Sequence, residues 1–264
     1  MPRATLNGID VYYERSGEGP TLLYLNGTGA TLASSRLSIE PYTKAFDVVV
    51  HDQRGLGETE APPGPYSMAD YATDAVALLD HLGIARVRVV GTSFGGMVAQ
   101  ELAVTHPERV ERLALLCTSA GGGGGSSYPL HELMSLPADE RRAKGIGIID
   151  RRWTEAWLAE HDLDRMIADV ISKAEAPEPG SDRERGTKGQ LAARSSHDVW
   201  DRLGAVSCPT LVAAGRYDGV APLANAEAIA SRIPGAELRA YEGGHVFFFQ
   251  DPTALPEIIE FLQG

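Results

Sequence analysis

A serine stands in Gly91-Thr92-Ser93-Phe94-Gly95, between the apolar run Val87–Val90 and a small-residue segment, Gly95–Thr105, of helical character. A Ser hydroxyl is a weak nucleophile until a neighbouring base takes its proton and the backbone presents the oxygen openly. A sharp strand-to-helix turn does the presenting, and flanking glycines let the chain pass without side-chain clash. The helix that follows aims its first N–H groups at the place where negative charge develops. Downstream, Asp218 follows the apolar run Leu211–Ala214 in Gly215-Arg216-Tyr217-Asp218. His245 follows the run ending near Tyr241, in Gly243-Gly244-His245. Ser, Asp and His in that order, each at a strand end, predict a nucleophile, an orienting acid and a base. The C-terminal edge of a parallel sheet would bring them together. The segment Leu25-Asn26-Gly27-Thr28-Gly29 ends an earlier apolar run. A tetrahedral intermediate needs two fixed N–H donors, and those of Thr28 and Phe94 are the expected pair.

The other chemistry-bearing residues imply less. His51, next to Asp52, reads as a second base or, more simply, as a strand-end packing residue. His81, His106, His131, His161 and His197 show no metal-ligand spacing, and there is no phosphate-binding loop. No metal and no cofactor are expected. Cys117 and Cys208 are too few for a disulfide framework and read as buried and inert. With no signal-like apolar stretch near the start, a reducing, cytoplasmic setting is the expectation. The formal net charge of −12 repels phosphate backbones and anionic lipid. The expected partner is therefore a small molecule rather than a nucleic acid or a membrane. Oligomeric state is not readable.

The elements that must position these residues follow from periodicity. Arg3–Leu6 and Ile9–Ser16 alternate apolar and polar residues about Asn7-Gly8, which predicts a hairpin. Thr21–Leu25, Val48–His51, Val87–Val90 and Arg112–Cys117 are short apolar runs, the pattern of buried strands. Tyr66–Gly83 places Tyr71, Ala75, Leu78, Leu79 and Leu82 on one helical face. The alternation predicts an α/β protein with a parallel sheet and helices on both faces. Five consecutive glycines, Gly121–Gly125, then read as a flexible joint. From about Tyr128 to Leu203 the chain is helical and charged, with Ala176–Gly186 as its expected loop. Strand rhythm resumes at Leu211–Ala214 and Glu237–Tyr241, and Thr253–Leu262 closes as an amphipathic helix. This gives a core of residues 1–125 and 206–264 and a helical insertion of residues 126–205. Met134, Trp153, Trp157, Leu158, Met166 and Ile167 supply its apolar surface, with Trp153, Trp157 and Asn26 the candidate substrate contacts.

Taken together, Asn26-Gly27-Thr28-Gly29, Asp52-Gln53-Arg54-Gly55-Leu56-Gly57, Gly91-Thr92-Ser93-Phe94-Gly95-Gly96, Gly215-Arg216-Tyr217-Asp218 and Gly243-Gly244-His245 resemble the α/β-hydrolase family. The resemblance implies a mostly parallel eight-stranded sheet with a helical cap inserted after the sixth strand. It also makes the Asp52–Gly57 turn a structural signature. The activity it implies is cleavage of a carboxylic ester or lactone through an acyl-enzyme on Ser93, with His245 as base and Asp218 orienting it. The opening segment and Gly95-Gly96-Met97-Val98 are similar to the enol-lactonases of aromatic degradation, whose Ser-Asn-Ser segment is here Leu25-Asn26-Gly27. Carbon–carbon hydrolases carry a Trp after the catalytic His, where this chain has Val246, and cofactor-free perhydrolases carry Met where it has Phe94. Those two activities, an acyltransferase, and a slow-turnover ligand receptor on the same fold remain the alternatives.

Overall fold

The computed structural model describes residues 2–133, 135–173 and 177–264, so Met134 and the start of the expected 176–186 loop lie outside the described residues. Eight strands form one sheet: β1 Arg3–Leu6, β2 Ile9–Ser16, β3 Thr21–Leu25, β4 Asp47–His51, β5 Val87–Thr92, β6 Val110–Leu116, β7 Thr210–Gly215 and β8 Glu237–Tyr241. Their spatial order is β1-β2-β4-β3-β5-β6-β7-β8. The β1–β2 and β2–β4 pairs are antiparallel, and the remaining pairs are parallel. The central strands read as uninterrupted apolar runs because both faces are covered. Leu22, Val48, Val90 and Leu211 face one layer; Leu23, Val49, Val89 and Val212 face the other.

The helices are α1 Leu32–Thr43, α2 Met68–His81, α3 Phe94–Thr105, α4 Leu130–Leu133, α5 Ala138–Ile149, α6 Glu155–Glu160, α7 Asp162–Ser172, α8 Asp182–Ser195, α9 Leu223–Arg232, α10 Phe247–Gln250 and α11 Ala254–Gln263. One face of the sheet carries α2, α3 and α9, and the other carries α1, α10 and α11. α2 shows the local logic. Ser67 caps it reciprocally with Asp70, Tyr71, Ala75, Leu78 and Leu79 are buried, and Gly83 leaves the helix at φ 68°. α1 carries no strong apolar stripe that announces it, and α9 is short, with four alanines among its ten residues. α1 contains Pro41 and buries only Leu32, Ser35, Ile39 and Tyr42.

Between β6 and β7 the described chain forms α4–α8 and two 3-10 turns, Gly122–Gly124 and Trp200–Ala205, with no strand. Two expectations for this stretch are corrected. The five glycines are not a free joint: Gly122–Gly124 form a 3-10 turn packed under the Trp200 indole. A Cβ on Gly123 would stand 2.6 Å from Trp200 Nε1 and one on Gly124 2.5 Å from Trp200 Cε3, so the ring occupies the space of these two side chains, while Gly121 packs on the His197 carbonyl and Gly122 on the Asp198 carboxylate. The expected 176–186 loop also ends early. Ser181 caps α8 by accepting the Glu184 N–H, and Arg185–Asp182 and Lys188–Glu184 pairs brace the first turns. Gly186, inside α8, sits directly against Gly55.

Candidate active site

Ser93 occupies the turn between β5 and α3 at φ 55°, ψ −113°. A non-glycine residue there costs on the order of 1–3 kcal/mol, so the surroundings must enforce it. They do so with four bonds. Ser93 N donates to the Leu116 carbonyl at 2.8 Å, and the Ser93 carbonyl accepts from Thr118 Oγ1 at 2.8 Å, Gly96 N at 2.9 Å and Met97 N at 3.3 Å. Gly95 and Gly96 allow the close approach. A Cβ on Gly95 would meet the Asn26 carbonyl at 2.7 Å, and one on Gly96 would stand 2.6 Å from Thr118 Cβ.

The structure brings the three strand-end residues into one chain of hydrogen bonds. Ser93 Oγ lies 2.9 Å from His245 Nε2, and His245 Nδ1 lies 2.8 Å from Asp218 Oδ2. With Asp218 ionised, Nδ1 donates and Nε2 is left to accept the serine proton. Asp218 is fully buried, and its Oδ1 accepts from Val220 N at 2.7 Å and Ala221 N at 2.8 Å. Both carboxylate oxygens are thus engaged.

Phe94 directly follows Ser93 at the start of α3, and Thr28 lines the same cavity as Ser93. Among the described residues no acceptor engages either N–H. Asn26-Gly27 runs alongside Ser93, and a Cβ on Gly27 would be 3.6 Å from Ser93 Cβ. The loop is held from two sides: Gln53 Nε2 donates to the Asn26 carbonyl at 2.8 Å, and Gly29 N donates to Gln190 Oε1 at 2.7 Å. Gln53 belongs to the Asp52–Gly57 turn, whose Asp52 accepts from Leu32 N at 2.6 Å and Glu58 N at 2.9 Å. Arg54 of the same turn pairs with Asp74 of α2 through two bonds of 2.7 and 2.8 Å. That motif therefore braces the Thr28 loop and does not reach Ser93.

Several nearby groups are silenced by their surroundings. Burial lowers His51 to about 4, keeping it neutral, and it makes no bond to Ser93. Burial pushes the Cys117 thiol well above its usual range. No group of three or more His, Cys, Asp or Glu among the described residues could hold a metal.

A cavity of about 1230 Å³ opens over Ser93 and His245. Its floor includes Asn26, Thr28 and Tyr24, and its roof includes Leu130, Leu133, Ile146, Ile149 and Ile171. Asn26 therefore stands on the wall, with its Nδ2 buried and without a partner among the described residues. Trp153 and Trp157 are corrected: neither lines this cavity. Trp153 is buried elsewhere in the insertion. Trp157 stacks on His161 at 3.7 Å and donates Nε1 to Asp164 Oδ2 at 2.7 Å. An indole N–H goes where it finds an acceptor, and here that acceptor lies inside the insertion. Met166 points to solvent at 64% exposure.

The residues that sequence reasoning missed tie the insertion to the His245 loop. His245 N donates to the Ile149 carbonyl at 2.6 Å, Gly219 N to Ile148 O at 2.9 Å, and Arg151 N to Tyr217 O at 2.9 Å. Gln250 Oε1 accepts from Gly244 N at 2.8 Å, while its Nε2 donates to Asp150 Oδ2 and Asp164 Oδ1, each at 2.9 Å. Arg152 neutralises the buried Asp150 and lies over the Tyr217 ring at 4.0 Å. No periodicity marks these residues, because they are joined by tertiary contact alone.

Comparison with known proteins agrees with this geometry. Residues 20–252 match the family model of the alpha/beta hydrolase fold, and the chain belongs to that family. It is 27% identical over 258 residues to 3-oxoadipate enol-lactonase 2 of Acinetobacter baylyi, covering 97% of this chain and 94% of that one. It is 31% identical over 250 residues to a 2-hydroxymuconate semialdehyde hydrolase of Pseudomonas sp., covering 90% and 84%. The crystal structure of an enol-lactonase from Burkholderia xenovorans superposes with a TM-score of 0.81 at 25% identity over 100% of both chains. The chain is a hydrolase of this fold, and no helix among the described residues is long and apolar enough to cross a membrane.

Proposed function

We propose that the protein is a serine hydrolase that cleaves a carboxylic ester or lactone of a small molecule. The observation that carries this reading is the hydrogen-bonded chain Ser93–His245–Asp218, at 2.9 and 2.8 Å, beneath a large, apolar-roofed cavity. Ser93 Oγ attacks the carbonyl carbon while His245 Nε2 takes its proton, and Asp218 holds the imidazole and stabilises its charged form. The Thr28 and Phe94 N–H groups receive the oxyanion, with no reorganisation needed as charge develops. His245 then protonates the leaving alkoxide, which departs as an alcohol (in a lactone it stays tethered). An acyl group remains on Ser93, and water activated by His245 releases the acid. All of this needs only side chains and backbone of the core, residues 1–125 and 206–264. Residues 126–205 act as the cap that roofs the cavity and chooses the substrate. The enol-lactonase relatives support an ester-type bond. The semialdehyde hydrolase relative keeps a second reading, carbon–carbon cleavage, in view.

Hydrolysis of p-nitrophenyl acetate, a simple γ-lactone and a ring-fission semialdehyde by the purified protein tests the choice. The expected result is turnover of ester or lactone, with Ser93→Ala reducing it by roughly three orders of magnitude or more without unfolding the protein. Turnover of the semialdehyde alone, or a Ser93→Ala variant of near wild-type rate, would overturn it.

A further inference from the structure

A second, smaller cavity of about 200 Å³ lies where the 126–130 segment meets α8, and Leu130 is common to its wall and that of the large cavity. Ser119, Ser126, Tyr128, Leu191 and Arg194 are also on its lining. It adjoins the Asp218 turn, since Tyr128 N donates to the Val220 carbonyl at 2.7 Å. Arg194 is only 6% exposed, and its Nε and Nη2 are buried with no acceptor among the described residues. Asp218 is the carboxylate whose field reaches it, yet both Asp218 oxygens are already taken by Val220 N, Ala221 N and His245. Burial pulls the guanidinium down only to about 10, so it stays charged at neutral pH.

A buried cation without an acceptor is costly, and the described residues offer no acceptor to Arg194 Nε and Nη2. We infer that this cavity is a recognition site for a carboxylate, received by the Arg194 guanidinium. A planar guanidinium matches a carboxylate through two parallel bonds. One positive charge matches one negative charge, which disfavours a phosphate dianion. Leu130 and Leu191 give a short methylene chain an apolar wall. The carboxylate has two possible sources, a free small acid and an acidic arm of the hydrolysed substrate. Only the second rests on the ester-hydrolase reading.

Two arms test the site. In the first, thermal unfolding of the protein is followed in sodium butyrate and in sodium chloride at equal ionic strength. Butyrate should raise the midpoint above chloride for the wild type and not for Arg194→Gln. In the second, kcat/KM is compared for p-nitrophenyl hexanoate and mono-p-nitrophenyl adipate. If the substrate supplies the carboxylate, Arg194→Gln should lower the adipate-to-hexanoate ratio by about ten- to a hundredfold, the range for a lost charged hydrogen bond, and leave hexanoate unchanged. A butyrate effect with an unchanged ratio assigns the site to a free acid. A cavity that holds only water predicts equal midpoints in butyrate and chloride and an unchanged ratio, and that result overturns the proposal. Arg194→Lys, which keeps the charge and loses the fork, covers the case in which the Gln variant does not fold, and should show the same losses in part. If neither ester is turned over, the ester reading fails, while the butyrate comparison still decides the site.

Discussion

The floor and the roof of the large cavity are built on different terms. On the floor almost every atom near Ser93 is fixed: a left-handed serine held by four bonds, glycines pressed against Asn26 and Thr118, and a buried Asp218 with both oxygens engaged. The roof is mostly aliphatic, with Leu130, Leu133, Ile146, Ile149 and Ile171, and adds the cationic side chains Arg141, Arg142 and Lys173. The difference follows the physics of the two tasks. Stabilising developing charge requires donors already in place, whereas choosing among acyl groups requires only a volume of suitable shape. The separation is incomplete at two edges: at one, α8 reaches the Thr28 loop through Gln190, which accepts from Gly29 N. At the other, the C-terminal end of α5 and Gln250 bind the roof to the loops that carry His245 and Asp218.

Cutting that edge should give the largest departure from a clean division. Gln250→Leu leaves Gly244 N without its acceptor and removes the bridge between the buried Asp150 and Asp164 carboxylates. A buried polar group left unpaired costs about 1–3 kcal/mol. The expected result is a fall of about tenfold or more in kcat for short and long esters alike, with KM little changed. Steady-state kinetics on p-nitrophenyl acetate and octanoate check it. A change confined to the octanoate KM would place Gln250 with the roof instead.

Away from that edge the roof should affect choice more than rate. Ile146→Ala and Ile171→Ala enlarge the cavity and should alter the octanoate-to-acetate ratio of kcat/KM several-fold. Acetate turnover should stay within about threefold, because wall contacts, worth roughly 1–3 kcal/mol per methylene, are felt only by the group that fills the pocket. An unaltered chain-length ranking in both variants would remove the roof from substrate selection.

The smallest expected effect concerns the folded state itself. Burial lowers both His51 and His197 to about 4. In the unfolded chain a histidine titrates near ~6.5. Between these values the unfolded chain binds more protons than the folded one, so stability falls as pH drops from about 6.5 toward 4 and is level above. Unfolding midpoints should decline by several degrees from pH 7 to pH 5, and His51→Gln should make that decline shallower. An equal slope in His51→Gln would mean that His51 is protonated in the folded protein.

The fold was legible because its central strands are buried on both faces and so appear as plain apolar runs. The hydrogen-bonded trio was legible because each member sits just past such a run. What escaped reading depends on tertiary partners. Trp153 and Trp157 stood out as large apolar residues, but size does not say which way a ring turns, and Asp164 decides for Trp157. The glycine run looked like freedom and is a seat for Trp200. Gln250 and Arg194 carry no local signal, since their meaning lies in what they meet, or fail to meet, across the fold.

The central claim, that the floor holds one activated serine, is tested most directly by covalent trapping. The protein is treated with diethyl p-nitrophenyl phosphate, and the intact mass and peptide masses are read. The account predicts one diethylphosphoryl group per chain, located on Ser93, with release of one p-nitrophenol, and no adduct in Ser93→Ala. An adduct on another residue, or equal labelling of Ser93→Ala, would contradict it.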